Sequence, residues 1–78
     1  MRLEAKDRKY PDMICVATVT DINSSSGELL IHFDGWTSTY DYWCQPDSTD
    51  IHPKGWCQDN DIKLQKPKGI FIMYNIPL

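Results

Sequence analysis

The sequence predicts an all-β fold, a small and strongly bent antiparallel barrel, on three grounds. Short runs rich in β-branched and aromatic residues recur along the chain, turn-forming clusters of Asn, Asp, Ser, Gly and Pro separate them at near-regular spacing, and no stretch shows sustained helical periodicity. At 78 residues there is room for a single small domain, and a domain of that size buries only about 60% of the surface its unfolded chain exposes.

Residues 2–6 alternate polar and apolar side chains and read as a short strand, after which residues 7–12 supply turn chemistry, with Pro11 holding Tyr10 extended. Residues 13–22 form the clearest strand. Ile14, Val16, Thr18, Thr20 and Ile22 lie on one face of it, and Cys15, Ala17, Val19 and Asp21 on the other. Residues 23–27 make a hairpin connection, and residues 28–33 return as an antiparallel partner.

Asp34 and Gly35 break that strand, a polar loop spans residues 37–39, and residues 40–44 read as a further strand with aromatic alternation. Residues 45–53 are rich in turn formers. Residues 51–57, punctuated by Pro53 and Gly55, suit a tight turn or a single helical turn that packs Trp56 inward. Tyr42 and Trp43 are expected in the core beside Trp56. From residue 70 to 76 the composition changes to an almost uncharged, β-prone run, an aggregation hazard if exposed. The expected division is a barrel over residues 1–66 and a divergent tail over residues 67–78 outside the compact domain.

Several function classes are disfavoured. The cysteines Cys15, Cys44 and Cys57 are odd in number and contain no C-x-x-C pair, which argues against a disulfide framework or a zinc knuckle and for small buried hydrophobes. Cys44, His52 and Cys57 lack a fourth metal ligand, and Asp47, Asp50, Asp59 and Asp61 lack the order of a calcium loop. Net charge is −3 with basic residues scattered, so direct sequence-specific nucleic-acid binding is not expected. No apolar run approaches the roughly 20 residues that cross a bilayer, and the start Met1-Arg2-Leu3-Glu4 lacks the apolar core of a signal peptide, so a soluble, intracellular protein without a membrane partner is expected. His32 and His52 read as structural, and no acid, base and nucleophile set points to an enzyme or to a cofactor.

Chemistry concentrates in residues 32–43. Phe33, Trp36 and Tyr40 fall at a strand end, in a loop and where the next strand begins, spacing that lets the rings stand around one cavity. Ring faces carry negative quadrupole potential and attract a desolvated alkylammonium by roughly 0.5–2 kcal/mol per good contact, with methyl-lysine recognition as the principal use. A carboxylate at the floor completes such a box; Asp7, Asp34 and Asp41 are the candidates, and Asp41 also suits local hydrogen bonds at the strand start.

The run Met1-Arg2-Leu3-Glu4-Ala5-Lys6-Asp7-Arg8, the strand Ile14-Cys15-Val16-Ala17-Thr18-Val19, the motif His32-Phe33-Asp34-Gly35-Trp36 followed by Tyr40-Asp41-Tyr42-Trp43, and Asp50-Ile51-His52-Pro53-Lys54-Gly55-Trp56-Cys57 together resemble the MBT (malignant brain tumour) repeat of Polycomb-group chromatin proteins. The resemblance covers residues 1–66, in order and at family spacing. It implies a five-stranded Tudor- or SH3-like barrel without the helical arm that usually precedes such repeats. It also implies a nuclear chromatin reader that serves transcriptional repression by binding mono- or dimethyl-lysine of histone tails, alongside other MBT repeats or subunits of chromatin complexes. Carried over by residue, it puts Phe33, Trp36 and Tyr40 in the cage and Asp7 at its base, with Tyr10 and Cys15 as further candidate lining residues. Binding-competent repeats usually carry Asn where this chain has Tyr10, so the alternative is a structural repeat whose cage that ring closes.

Overall fold

The computed structural model describes residues 1–66, and the expected tail over residues 67–78 lies outside the described residues. The order of elements is β1 (Arg2–Lys6), β2 (Ile14–Ile22), β3 (Leu29–Phe33), a 3-10 turn (Ser38–Tyr40), β4 (Tyr42–Cys44), β5 (Ile51–His52), α1 (Trp56–Asp59) and β6 (Leu64–Gln65). Five strands follow the antiparallel path β4-β3-β2-β1-β5. β6 lies off that path and pairs parallel with β2 at Ile14 and Cys15, on the part of β2 that β3 leaves open. The result is the expected bent all-β sheet, with β2 as its centre.

Register brings the inward residues into one cluster. Leu3 lies opposite Ala17 and Ala5 opposite Cys15; Ala17 faces Phe33, Val19 faces Ile31, Ile31 faces Tyr42, and Leu29 faces Cys44. Because side chains alternate across a strand, these positions share one face of the curled sheet. Leu3, Ala5, Cys15, Ala17, Ile31, Phe33, Tyr42 and Cys44 are all buried there. The small side chains at Ala5 and Ala17 let the strands curl tightly around the larger Ile31 and Phe33. A register shift between Val19 and Asp21 ends the inward alternation before the hairpin.

That hairpin is built by Asn23, whose side-chain Oδ1 accepts the N–H of Ser25 at 2.9 Å and of Ser26 at 3.2 Å, while Gly27 takes the φ of 77° needed to turn back.

Two expectations are corrected. Trp43 is not a core residue: it is 39% exposed, because Tyr42 before it and Cys44 after it take the inward face of β4 and alternation sends Trp43 outward. The aromatic strand begins at Tyr42 rather than residue 40, since Ser38–Tyr40 coils into a 3-10 turn closed by the Asp41 N–H on the Ser38 carbonyl. Trp56 is half-buried and stacks on His52, with ring centroids 3.5 Å apart and planes 6° from parallel.

Candidate functional site

Asp7 follows β1 and is 8% exposed. Its Oδ1 accepts the N–H of Lys9 at 2.9 Å and of Tyr10 at 3.3 Å, and its N–H donates to the Met13 carbonyl at 3.0 Å, so the turn over residues 7–13 is wound around this side chain. The next residue, Arg8, lays its guanidinium 3.9 Å from the Tyr42 ring centroid and donates from Nε to Asp50 Oδ2 at 3.1 Å. Tyr42 in turn donates its hydroxyl to the Lys6 carbonyl at 2.8 Å. These contacts tie the end of β1 to β4 and set the Asp7 turn beside the aromatic segment.

On the other side, Phe33 ends β3 at 2% exposure, tilted against Tyr42 with centroids 5.9 Å apart. A turn follows in which the Trp36 N–H donates to the Phe33 carbonyl at 3.0 Å. The 3-10 turn then brings Tyr40 back to Trp36 edge-to-face, with centroids 5.2 Å apart and planes at 74°. Both of these rings are half-buried and pack on the core, leaving each partly open to solvent. The Lys9 ammonium stands 5.2 Å from the Tyr40 ring centroid, which links the Asp7 turn to the ring pair.

The three candidate carboxylates are differently engaged. Asp34 accepts the Thr18 hydroxyl at 2.7 Å, and its Oδ2 lies 3.3 Å from Arg2 Nε as an ion pair without the alignment of a hydrogen bond. Asp41 does not bond locally as expected but reaches β3, where His32 Nδ1 lies 2.8 Å from its Oδ1. A carboxylate only accepts, so Nδ1 carries the proton, and His32 has the structural part expected of it. Asp34 lies in the turn between Phe33 and Trp36 but is engaged by Thr18 and Arg2, whereas Asp7 organises a turn of its own, whose Lys9 reaches the Tyr40 ring.

Cys15, on β2, is buried, and its thiol is pushed up to about 11 by burial and then by the Asp7 charge close by. It stays a protonated thiol in the usual cellular range. Tyr10 is 55% exposed.

Two charged residues escaped the sequence reading. Glu4, on β1 and 4% exposed, accepts the N–H of Gly55 at 2.9 Å and of Cys57 at 2.8 Å, so it closes the start of α1, where Gly55 takes a φ of 95°. Lys9 is turn composition by sequence; its one local signal is that it lies within the turn Asp7 organises. Among the described residues no group of His, Cys, Asp and Glu side chains is gathered so as to hold a metal ion. No helix among them is long and apolar enough to cross a membrane.

A family model, the mbt repeat, matches residues 1–71. The chain belongs to the MBT repeat family. It is 54% identical over 68 residues to lethal(3)malignant brain tumor-like protein 1 of Gallus gallus, covering 87% of this chain and 8% of that protein. It is 51% identical over 67 residues to Polycomb protein SCMH1 of Homo sapiens, covering 86% of this chain and 10% of that one. The chain thus spans about a tenth of the length of these curated relatives. Among solved structures, it superposes with a TM-score of 0.80 on the four MBT repeats of Drosophila melanogaster Sfmbt in complex with the peptide RHR (me)K VLR, at 46% identity over 86% of this chain and 15% of that one. The MBT assignment and the all-β barrel expected from the sequence are both borne out.

Proposed function

We propose that this MBT repeat is a non-enzymatic chromatin reader, which inserts a mono- or dimethylated lysine of a histone tail between Phe33, Trp36 and Tyr40 above Asp7. The observation that carries the reading is the edge-to-face Trp36–Tyr40 pair, partly open to solvent, which the turn wound around the buried Asp7 reaches through Lys9. Further support is the Sfmbt complex, in which MBT repeats were solved with a methylated peptide. A mono- or dimethylammonium keeps an N–H to donate to Asp7, whereas a trimethylammonium has none, so lower methylation states are favoured. Cys15 borders the carboxylate as an uncharged wall.

Tyr10 distinguishes this reading from a closed, purely structural repeat. A ring that filled the cavity would be buried, and Tyr10 is 55% exposed, which favours an open site. One side chain entering a small pocket yields about −4 to −6 kcal/mol, hence Kd from about 1 mM to tens of micromolar, so linked repeats or chromatin-complex partners supply useful affinity. The proposed setting is the nucleus, in transcriptional regulation, and the proposed functional unit is the barrel of residues 1–66.

The test is an NMR titration with unmethylated, mono-, di- and trimethyl-lysine peptides, following the Trp36 indole. Saturable shifts with the mono- and dimethyl peptides, and weaker ones with the other two, are expected; equal affinity for all four overturns the reading.

A further inference from the structure

The turn that supplies the carboxylate also supplies a cation. Lys9 is tied to Asp7 through its backbone N–H at 2.9 Å, while its side chain carries an ammonium to 5.2 Å from the Tyr40 ring centroid, inside the roughly 6 Å range of a cation–π contact. Tyr40 is held in place by the 3-10 turn and by its edge-to-face contact with Trp36. From this juxtaposition we infer that Lys9 is an internal competitor for the cage: its ammonium occupies the face of Tyr40 in the free repeat and is displaced when a methylated lysine enters. The inference rests on the proposed methyl-lysine reading and names a residue that sets its affinity.

The physical basis is a contest between two cations for one ring. A primary ammonium is compact and strongly hydrated, so it gains little by leaving water for a ring face. A methylated ammonium sheds part of that hydration and presents more apolar surface to the ring faces, so it wins, but only after the repeat gives up the Lys9 contact. The apparent dissociation constant is then the intrinsic one divided by the fraction of molecules in which the ring is free. An exposed cation–π contact of this kind corresponds to about a two- to five-fold penalty. Mono- and dimethyl ligands displace the same contact, so Lys9 lowers affinity for both by one factor and leaves their ratio unchanged.

The test compares the unaltered chain with Lys9→Gln, Lys9→Arg and Lys63→Gln, each titrated with mono- and dimethyl-lysine peptides at physiological and at raised salt. Lys63 is exposed and serves as a control for the loss of one positive charge. Lys9→Gln is expected to bind both peptides about two- to five-fold more tightly, with the gain persisting at raised salt, while Lys9→Arg and Lys63→Gln stay close to the unaltered chain. In the unaltered chain the Lys9 Hε signals are expected upfield under the Tyr40 ring current and to return toward solvent values as the dimethyl peptide saturates. Unchanged or weaker binding by Lys9→Gln, with the unaltered chain binding normally, overturns the inference and leaves the methyl-lysine reading standing. An equal gain in Lys63→Gln overturns it too, since bulk charge then suffices. Absence of binding in both the unaltered chain and Lys9→Gln overturns the reading and the inference together.

Discussion

Glu4 Oε1 accepts the backbone N–H of Cys57 at 2.8 Å, joining the first strand to a helical turn 53 residues later in the chain. Its other oxygen holds Gly55, so one buried side chain satisfies two backbone donors at the start of α1. Replacing Glu4 by Ala leaves both N–H groups without their acceptor. The expected loss is about 2–4 kcal/mol in urea unfolding, since hydrogen bonds to a charged group each contribute about 1.5–3 kcal/mol and are not additive.

The same contact makes stability depend on acid. Burial by itself raises the Glu4 carboxyl, but the N–H donors of Cys57 and Gly55, the Cys57 thiol and the His52 charge outweigh it, and the folded value falls below the ordinary 4.5. A carboxyl lowered in the folded state contributes stability that is fully present above its unfolded value and is lost as pH falls through the folded one. Unfolding midpoints of the unaltered chain should therefore drop as pH decreases below about 4.5, and Glu4→Gln should flatten that part of the slope.

Phe33 and Trp36 separate stability from binding. Phe33 is 2% exposed in the core, so Phe33→Ala is expected to cost about 3–5 kcal/mol and to unfold much of so small a domain. Trp36 is half-buried in a loop; Trp36→Leu should keep a cooperative unfolding transition while removing detectable dimethyl-lysine binding by calorimetry. Equal loss of fold in both variants would contradict this division.

Neighbours in β4 should behave oppositely. Trp43 is 39% exposed, and Trp43→Thr should change the free energy of unfolding by less than about 1 kcal/mol. Tyr42 points inward and donates to the Lys6 carbonyl, so Tyr42→Phe should cost about 1 kcal/mol even though the ring is kept.

Tyr10→Asn tests whether this ring closes the site. With Tyr10 exposed, the change is expected to alter dimethyl-lysine affinity by less than about three-fold. Binding that appears only in the Asn variant would establish the closed, structural repeat instead.

Much of the barrel was legible in the sequence because strand formation and its turns are local matters. Alternation in β2 and β3, the Asn23 hairpin and the break at Asp34 all follow from side-chain period and turn chemistry within a few residues. The motifs in residues 32–43 and 50–57 were specific enough to indicate the MBT family, which the family match then showed. What only the tertiary structure decided is which side chains meet. Glu4 sits among the apolar residues of β1 and looks like an outward-facing charge until α1 covers it from 53 positions away. Asp34 and Asp41 differ from Asp7 only through their partners Thr18, Arg2 and His32, brought near by strand pairing. The Lys9 ammonium meets the Tyr40 ring because the end of β1 and the entry to β4 converge, a relation that no local periodicity encodes.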